Sequence, residues 1–232
     1  MPNELMLLIS LLAIFSAVLI WFRLFEERGL MGLTVFLTIA ANIEVLILVN
    51  AFGMEQTLGN TLFAATFLIT DILSETRGKK TAQKAVNIGI ATSITFILVS
   101  QSWLLYTPAA GDTAFPLIQG IFKSTPRLML SSLGVYAVCQ RFDVWAYHKI
   151  WGLTEKRFGS RERFLWLRNN GSTLLSQLLN TFLFNFAAFW GVYPLSTLLS
   201  ISLAGYVIFI FTSLLDTPFV YIARKIAPKT GD

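Results

Sequence analysis

Apolar residues run through this chain in long blocks, broken at intervals by short polar clusters. A soluble surface helix shows a stripe of apolar positions three or four apart. Here whole helical turns are apolar on every side, the pattern of a helix immersed in lipid. A membrane helix needs about 20 mostly apolar residues. Seven stretches qualify: residues 4–25, 30–52, 58–76, 82–106, 118–145, 172–190 and 195–226. The pattern therefore predicts an all-α, polytopic membrane helix bundle with about seven transmembrane helices. The first run lacks the basic start and small-residue cleavage site of a signal peptide, so it is read as a retained helix.

Composition agrees with this pattern. Of the residues 55% are hydrophobic and 13% charged, with a mean hydropathy of +0.65; a soluble domain carries roughly 25% charged residues. The formal net charge of +5 would suggest nucleic acid in a soluble protein. In a membrane protein, positive charge collects in cytoplasmic loops, so the predicted partner is the lipid bilayer and no nucleic acid. Lys and Arg fall after stretches one, three, five and seven, with Lys123 and Arg127 the exceptions. That bias predicts the N-terminus outside and the C-terminus in the cytoplasm. With one cysteine, Cys139, and one histidine, His148, neither an intramolecular disulfide nor a zinc site is available. Asn170-Gly171-Ser172 matches a glycosylation sequon but falls on the cytoplasmic side.

The informative residues are the polar ones inside apolar stretches. A charged group at the centre of a membrane helix costs about 2.5–3.5 kcal/mol on insertion scales, so a retained one marks a functional site. Asp71 and Glu75 are four apart and share a helix face. Glu75 either joins a substrate or proton site with Asp71 or sits at the headgroup boundary, paired with Arg77 or Lys79. Asn42 and Glu44 are placed near the bilayer middle, two apart and so about 200° round the helix. Both cannot face one cavity from an ideal helix: Glu44 is the stronger ligand candidate, and Asn42 bonds either a ligand or a neighbouring helix. Thr173, Gln177 and Asn180 lie on one face, continued by Phe184, as interhelical glue or as a ligand pocket. Arg127 follows Pro126, with Ser124, Ser131 and Gly134 on its side. It either snorkels to the outer interface or neutralises Glu44 or Asp71. Gln140 and Asp143 are placed at the cytoplasmic end and read as solvated. Asp216 precedes Pro218, a kink position in the last helix. The candidate binding set is thus Asn42, Glu44, Asp71, Glu75, Arg127, Gln177, Asn180 and Asp216.

Gly78-Lys79-Lys80-Thr81 lacks the spacing of a P-loop, and no nucleophile–base pair or HExxH is present. The sequence predicts no enzyme, no cofactor and no metal.

Thr70-Asp71 followed by Glu75 and then Gly78-Lys79-Lys80 resembles the signature of the queuosine precursor transporters, also called the vitamin uptake transporter family. Arg127 with Ser131-Ser132, then Gln140 and Asp143-Val144, is similar to its next block. Trp166 to Asn170 with Ser172-Thr173, Ser176-Gln177 and Asn180-Thr181 is similar to a third, and Asp216-Thr217-Pro218 to the last helix. Members usually have six spans, so the resemblance divides the chain into an extra N-terminal helix and turn, residues 1–29, and a six-helix transporter core, residues 30–232. Position 180 is Asn where Asp is usual in the family. The resemblance implies import of a 7-deazaguanine such as preQ0 or preQ1 across a prokaryotic inner membrane by alternating access. A carboxylate of Asp71 or Glu44 would take the adjacent N–H donors of the base, Asn180 or Gln177 its carbonyl or a ring nitrogen, and Phe67 or Phe184 its flat face. The aminomethyl group of preQ1 would need Glu75 or Asp216. Two rivals stand beside this: a substrate-capture subunit of an ATP-driven importer, and an intramembrane enzyme using Asp71, Glu75 and Asp216 as acid–base groups. The oligomeric state is open, a homo-oligomer included.

Overall fold

A computed structural model describes residues 2–123, 126–160 and 162–228; Ser124, Arg161 and Lys229 lie outside them. The helices are α1 (Asn3–Glu44), α2 (Asn60–Arg77), α3 (Lys79–Trp103), α4 (Ala114–Lys123), α5 (Pro126–Phe158), α6 (Leu165–Phe189) and α7 (Leu195–Ile226). Between α1 and α2 lies an antiparallel pair, β1 (Leu48–Ala51) and β2 (Met54–Thr57).

The 42 residues of α1 are two rods and not one, because Glu26 leaves the helical region at φ 53, ψ −140. A straight helix would hold Trp21 and Gly29 about 12 Å apart along its axis. Instead, a Cβ added to Gly29 would sit 2.7 Å from the Trp21 carbonyl oxygen, so the chain doubles back and needs glycine there. Arg77 fixes the reversal through ion pairs to Glu26 at 2.8 Å and Glu27 at 3.5 Å. The α2–α3 reversal is made by Gly78 alone, at φ 84, a backbone region that side chains disfavour.

Three sequence-based boundaries are corrected. The second stretch ends at Glu44 and not at residue 52, because Ile47, Val49 and the Phe52-Gly53 turn favour a β-hairpin over a further helical turn. Both turn residues have φ above zero, as a type I′ turn requires, and Glu4 accepts a hydrogen bond from the Phe52 N–H at 2.9 Å. The stretch 118–145 divides into α4 and α5, and α5 starts at Pro126, a favoured first helical residue. The sixth helix begins at Leu165, seven residues before the apolar run, so Arg168, Asn169 and Asn170 are helical and buried.

Chain order gives the bundle two ends. The hairpin end holds the N-terminus, the β-pair, α4 and the α6–α7 turn. The basic end holds the Glu26 break, Gly78, the α5–α6 turn and the C-terminal end of α7. The core is built on α2, which is buried at every position from Ala64 to Ser74. It packs against α1, α3, α5 and α7. Leu11, Phe15, Val18 and Phe22 of the first rod meet Leu30, Leu33 and Leu37 of the second and Leu68, Ile69 and Ile72 of α2 in one cluster. The outside is apolar, with exposed Ile20, Phe36, Leu98, Val138, Leu175, Leu203 and Phe211, as lipid contact requires. By length and composition, α1, α3 and α7 are apolar enough to cross a membrane. The helices α2, α5 and α6 are less apolar because they carry the polar interior.

Candidate functional site

Polar side chains of α2, α5, α6 and α7 follow one another from the hairpin end to the basic end in three levels. The first is a cavity of about 220 Å³ lined by Thr57, Asn60, Asn180, Thr181, Phe184, Asn185, Phe189, Tyr193 and Phe209, among others. A narrower space beside it shares Asn60, Asn180 and Phe184 and reaches Ser132 and Val135. The walls are amides and aromatic rings. Asn180 donates to Gln177 Oε1 at 3.3 Å, and Asn185 donates to Ser202 at 3.1 Å.

The second level is acidic. Asp71 and Asp143 are fully buried and Asp216 nearly so. Each is held by α6: Thr173 donates to Asp71 Oδ2 at 3.1 Å, Ser176 to Asp143 Oδ1 at 2.8 Å, and Asn169 to Asp216 Oδ1 at 2.7 Å. Positions 169, 173 and 176 recur at helical spacing, so one stripe of α6 gathers acids from α2, α5 and α7. The Asp71 and Asp143 carboxyl groups lie within hydrogen-bonding reach of each other. Two carboxylates supply no hydrogen, and among the described residues Asp71 Oδ1, Asp143 Oδ2 and Asn169 Oδ1 have no donor. The level is therefore a cluster of acceptors that a proton or a donor-rich ligand would complete. Gln140 braces it by donating to Thr66 at 2.7 Å and accepting from Thr70 at 3.2 Å. Asn170 donates to Thr217 at 2.8 Å and accepts from Ser213 at 3.3 Å.

The third level, at the basic end, is an ion pair. Arg168 meets Glu75 with two hydrogen bonds, at 2.6 and 2.9 Å, and both side chains are buried. Tyr147 adds a third at 2.7 Å.

The eight sequence candidates separate accordingly. Asp71, Asp216, Gln177 and Asn180 come together along the α6 stripe. Glu75 lies one turn beyond Asp71, paired with Arg168 and not with Arg77 or Lys79. Glu44, placed mid-helix by the sequence, is the last residue of α1 beside the hairpin and half-buried. Asn42 bonds Thr38 O at 2.8 Å and, on α3, Ser93 at 3.3 Å, which makes it interhelical. Arg127 neutralises neither Glu44 nor Asp71: it is exposed and donates to the carbonyls of Ala187 at 3.0 Å and Trp190 at 2.7 Å, capping α6. Gln140 and Asp143, expected in solvent at the cytoplasmic end, and Arg168, which precedes the sixth apolar stretch, are instead fully buried. The signal that finds Gln140 and Asp143 is their three-residue spacing, which puts both on the α5 face that meets α2 and α6.

Residues 57–223 match the family model described as "Putative vitamin uptake transporter". Over 215 residues, 93% of this chain and 92% of the other, the sequence is 38% identical to a Bacillus subtilis (strain 168) protein named "Probable queuosine precursor transporter". No solved structure matches. The matched span contains all three polar levels, and the chain belongs to the vitamin uptake transporter family, a family of transporters and not of enzymes.

Proposed function

We propose that this protein imports a queuosine precursor, a 7-deazaguanine such as preQ0 or preQ1, by alternating access. The observation that carries the reading is the stacking of an amide- and aromatic-lined cavity on a buried acceptor cluster. A deazaguanine presents a flat ring and several adjacent N–H donors. Phe184 and its neighbours suit the ring, at roughly 1–3 kcal/mol by analogy with base stacking. Gln177 and Asn180 suit its carbonyl and ring nitrogen. Asp71 and Asp143 suit its donors, since a carboxylate can accept two at once. Among the described residues, four buried carboxyl groups, Asp71, Glu75, Asp143 and Asp216, face one fully buried cation, Arg168. That imbalance favours a ligand that brings donors or positive charge. The relative's name points to the same substrate class.

In this reading the two rods of α1 with α2, α3, α5, α6 and α7 make seven spans in a prokaryotic inner membrane. The hairpin end is outside, with the N-terminus, and the basic end is cytoplasmic. The first rod is the extra helix and the rest the six-helix core. Glu44 stands at the outer rim and not among the ligand-binding acids. The test is uptake of preQ0 and preQ1 by the purified protein in liposomes, and salvage in cells unable to make them. Uptake without any ATPase supports the carrier; ligand retention that needs a co-purifying nucleotide-binding protein refutes it.

A further inference from the structure

The end of the bundle opposite the cavity converges on one carboxylate. Glu75 Oε1 accepts from Arg168 Nη2 at 2.6 Å, and Oε2 accepts from Arg168 Nε at 2.9 Å and the Tyr147 hydroxyl at 2.7 Å. Arg224 Nε lies 3.5 Å from Oε1. One acid on the last turn of α2 is therefore held by side chains from α5, α6 and α7. The guanidinium of Arg168 lies 4.2 Å from the centre of the Trp151 ring and donates through Nη1 to the Arg163 carbonyl at 2.9 Å. By contrast, the Arg77 pairs to Glu26 and Glu27 have partners that are 54% and 41% exposed, and so tie only the rim.

We propose that the Glu75–Arg168 pair, with Tyr147, is the latch that closes the transport path at the basic end, and that its release opens the acid cluster to that side. This rests on the carrier reading above. A substrate leaving the cavity for the basic end would follow the polar groups along α6, past Asp71 to Glu75, and opening that end must separate α2 from α6. A desolvated, bidentate charge pair suits this task. It is strong while dry, and once water enters each charge regains its hydration. Closed and open states can then lie close in energy, as two-state switching requires. A purely apolar seal would instead pay the full cost of wetting at every cycle.

The test reads access, not transport. Cys139 is replaced by Ser and a single cysteine is introduced as Ser74→Cys, at a buried position between Asp71 and Glu75. The protein is reconstituted, and a membrane-impermeant maleimide is applied from each side in turn. Slow labelling from the basic-loop side is expected in this background. Glu75→Gln should accelerate it at least tenfold from that side alone. Tyr147→Phe, which deletes one hydrogen bond and keeps the ring, should accelerate it less but in the same direction. Rates within twofold of the background in both variants overturn the latch; if Glu75→Gln does not fold, an unchanged rate in Tyr147→Phe overturns it alone. No substrate is present, so the readings fail separately. Accelerated labelling in a protein that imports no deazaguanine refutes the substrate, and normal import with unchanged labelling refutes the latch.

Discussion

Asp71→Asn should separate stability from transport, because the two depend on opposite properties of the same atom. Asp71 Oδ2 accepts from Thr173 at 3.1 Å, and an amide oxygen in that place accepts equally well. Among the described residues, Oδ1 has no donor and faces the Asp143 carboxyl, whose Oδ2 is likewise without one. An amide nitrogen replacing Oδ1 donates to Asp143 and removes a like-charge contact. A new hydrogen bond of this kind is worth about 0.5–1.5 kcal/mol. The variant should therefore be at least as stable as the parent, read as an unchanged or higher unfolding midpoint in detergent. Transport should fall steeply. If Asp71 accepts two N–H donors, each charge-assisted bond is worth about 1.5–3 kcal/mol. Losing both gives roughly a 10²–10⁴-fold drop in initial uptake at low substrate concentration. The assay is preQ1 uptake into liposomes, with thermal stability of the same preparation. A variant that unfolds would show that the acid pair is structural. A stable variant that transports within tenfold of the parent would show that Asp71 does not bind the ligand.

Removing the cation alone should be worse than removing the pair. Arg168→Leu leaves the buried Glu75 to the Tyr147 hydroxyl and the partly exposed Arg224 and should cost about 3–5 kcal/mol, whereas adding Glu75→Leu should recover much of it, as a double-mutant stability cycle would show. Gly29→Val puts a side chain against the Trp21 carbonyl and Phe25 Cβ; overpacking of this kind costs about 1–3 kcal/mol and should lower folded yield on size-exclusion chromatography. Arg127→Gln touches only the exposed end of α6, and uptake should stay within twofold of the parent. Gln140→Leu removes the α2–α5 bridge and leaves Thr66 unpaired across the helices; it should lower the unfolding midpoint more than it changes the apparent affinity for preQ1.

What was legible in the sequence was the cost of burial. Asp71 and Asp216 interrupt apolar runs, and both lie inside. Thr173, Gln177 and Asn180 showed their common face through helical spacing. The errors share one cause: hydropathy locates lipid-facing surface, not the helix itself. Leu165 to Gly171 extend α6 by two turns because Arg168, Asn169 and Asn170 face other helices, and no window average registers that. Asp143 and Gln140 were hidden in the same way, behind Arg141 and the basic residues that follow. Glu44 errs in the opposite direction, since Leu46 to Val49 is apolar enough to prolong a helix but carries β-branched Ile47 and Val49 and leads into the Phe52-Gly53 turn. Which acid meets which hydroxyl depends on the rotation of α6 against three neighbours, and no local pattern encodes that.

The reversal at Glu26 also bears on how the molecule is made. Its two rods touch through residues close together in the chain, so their packing needs no later segment. Such a pair can leave the translocon already folded on itself. Arg77, some fifty positions downstream, then clamps a scaffold that is already in place.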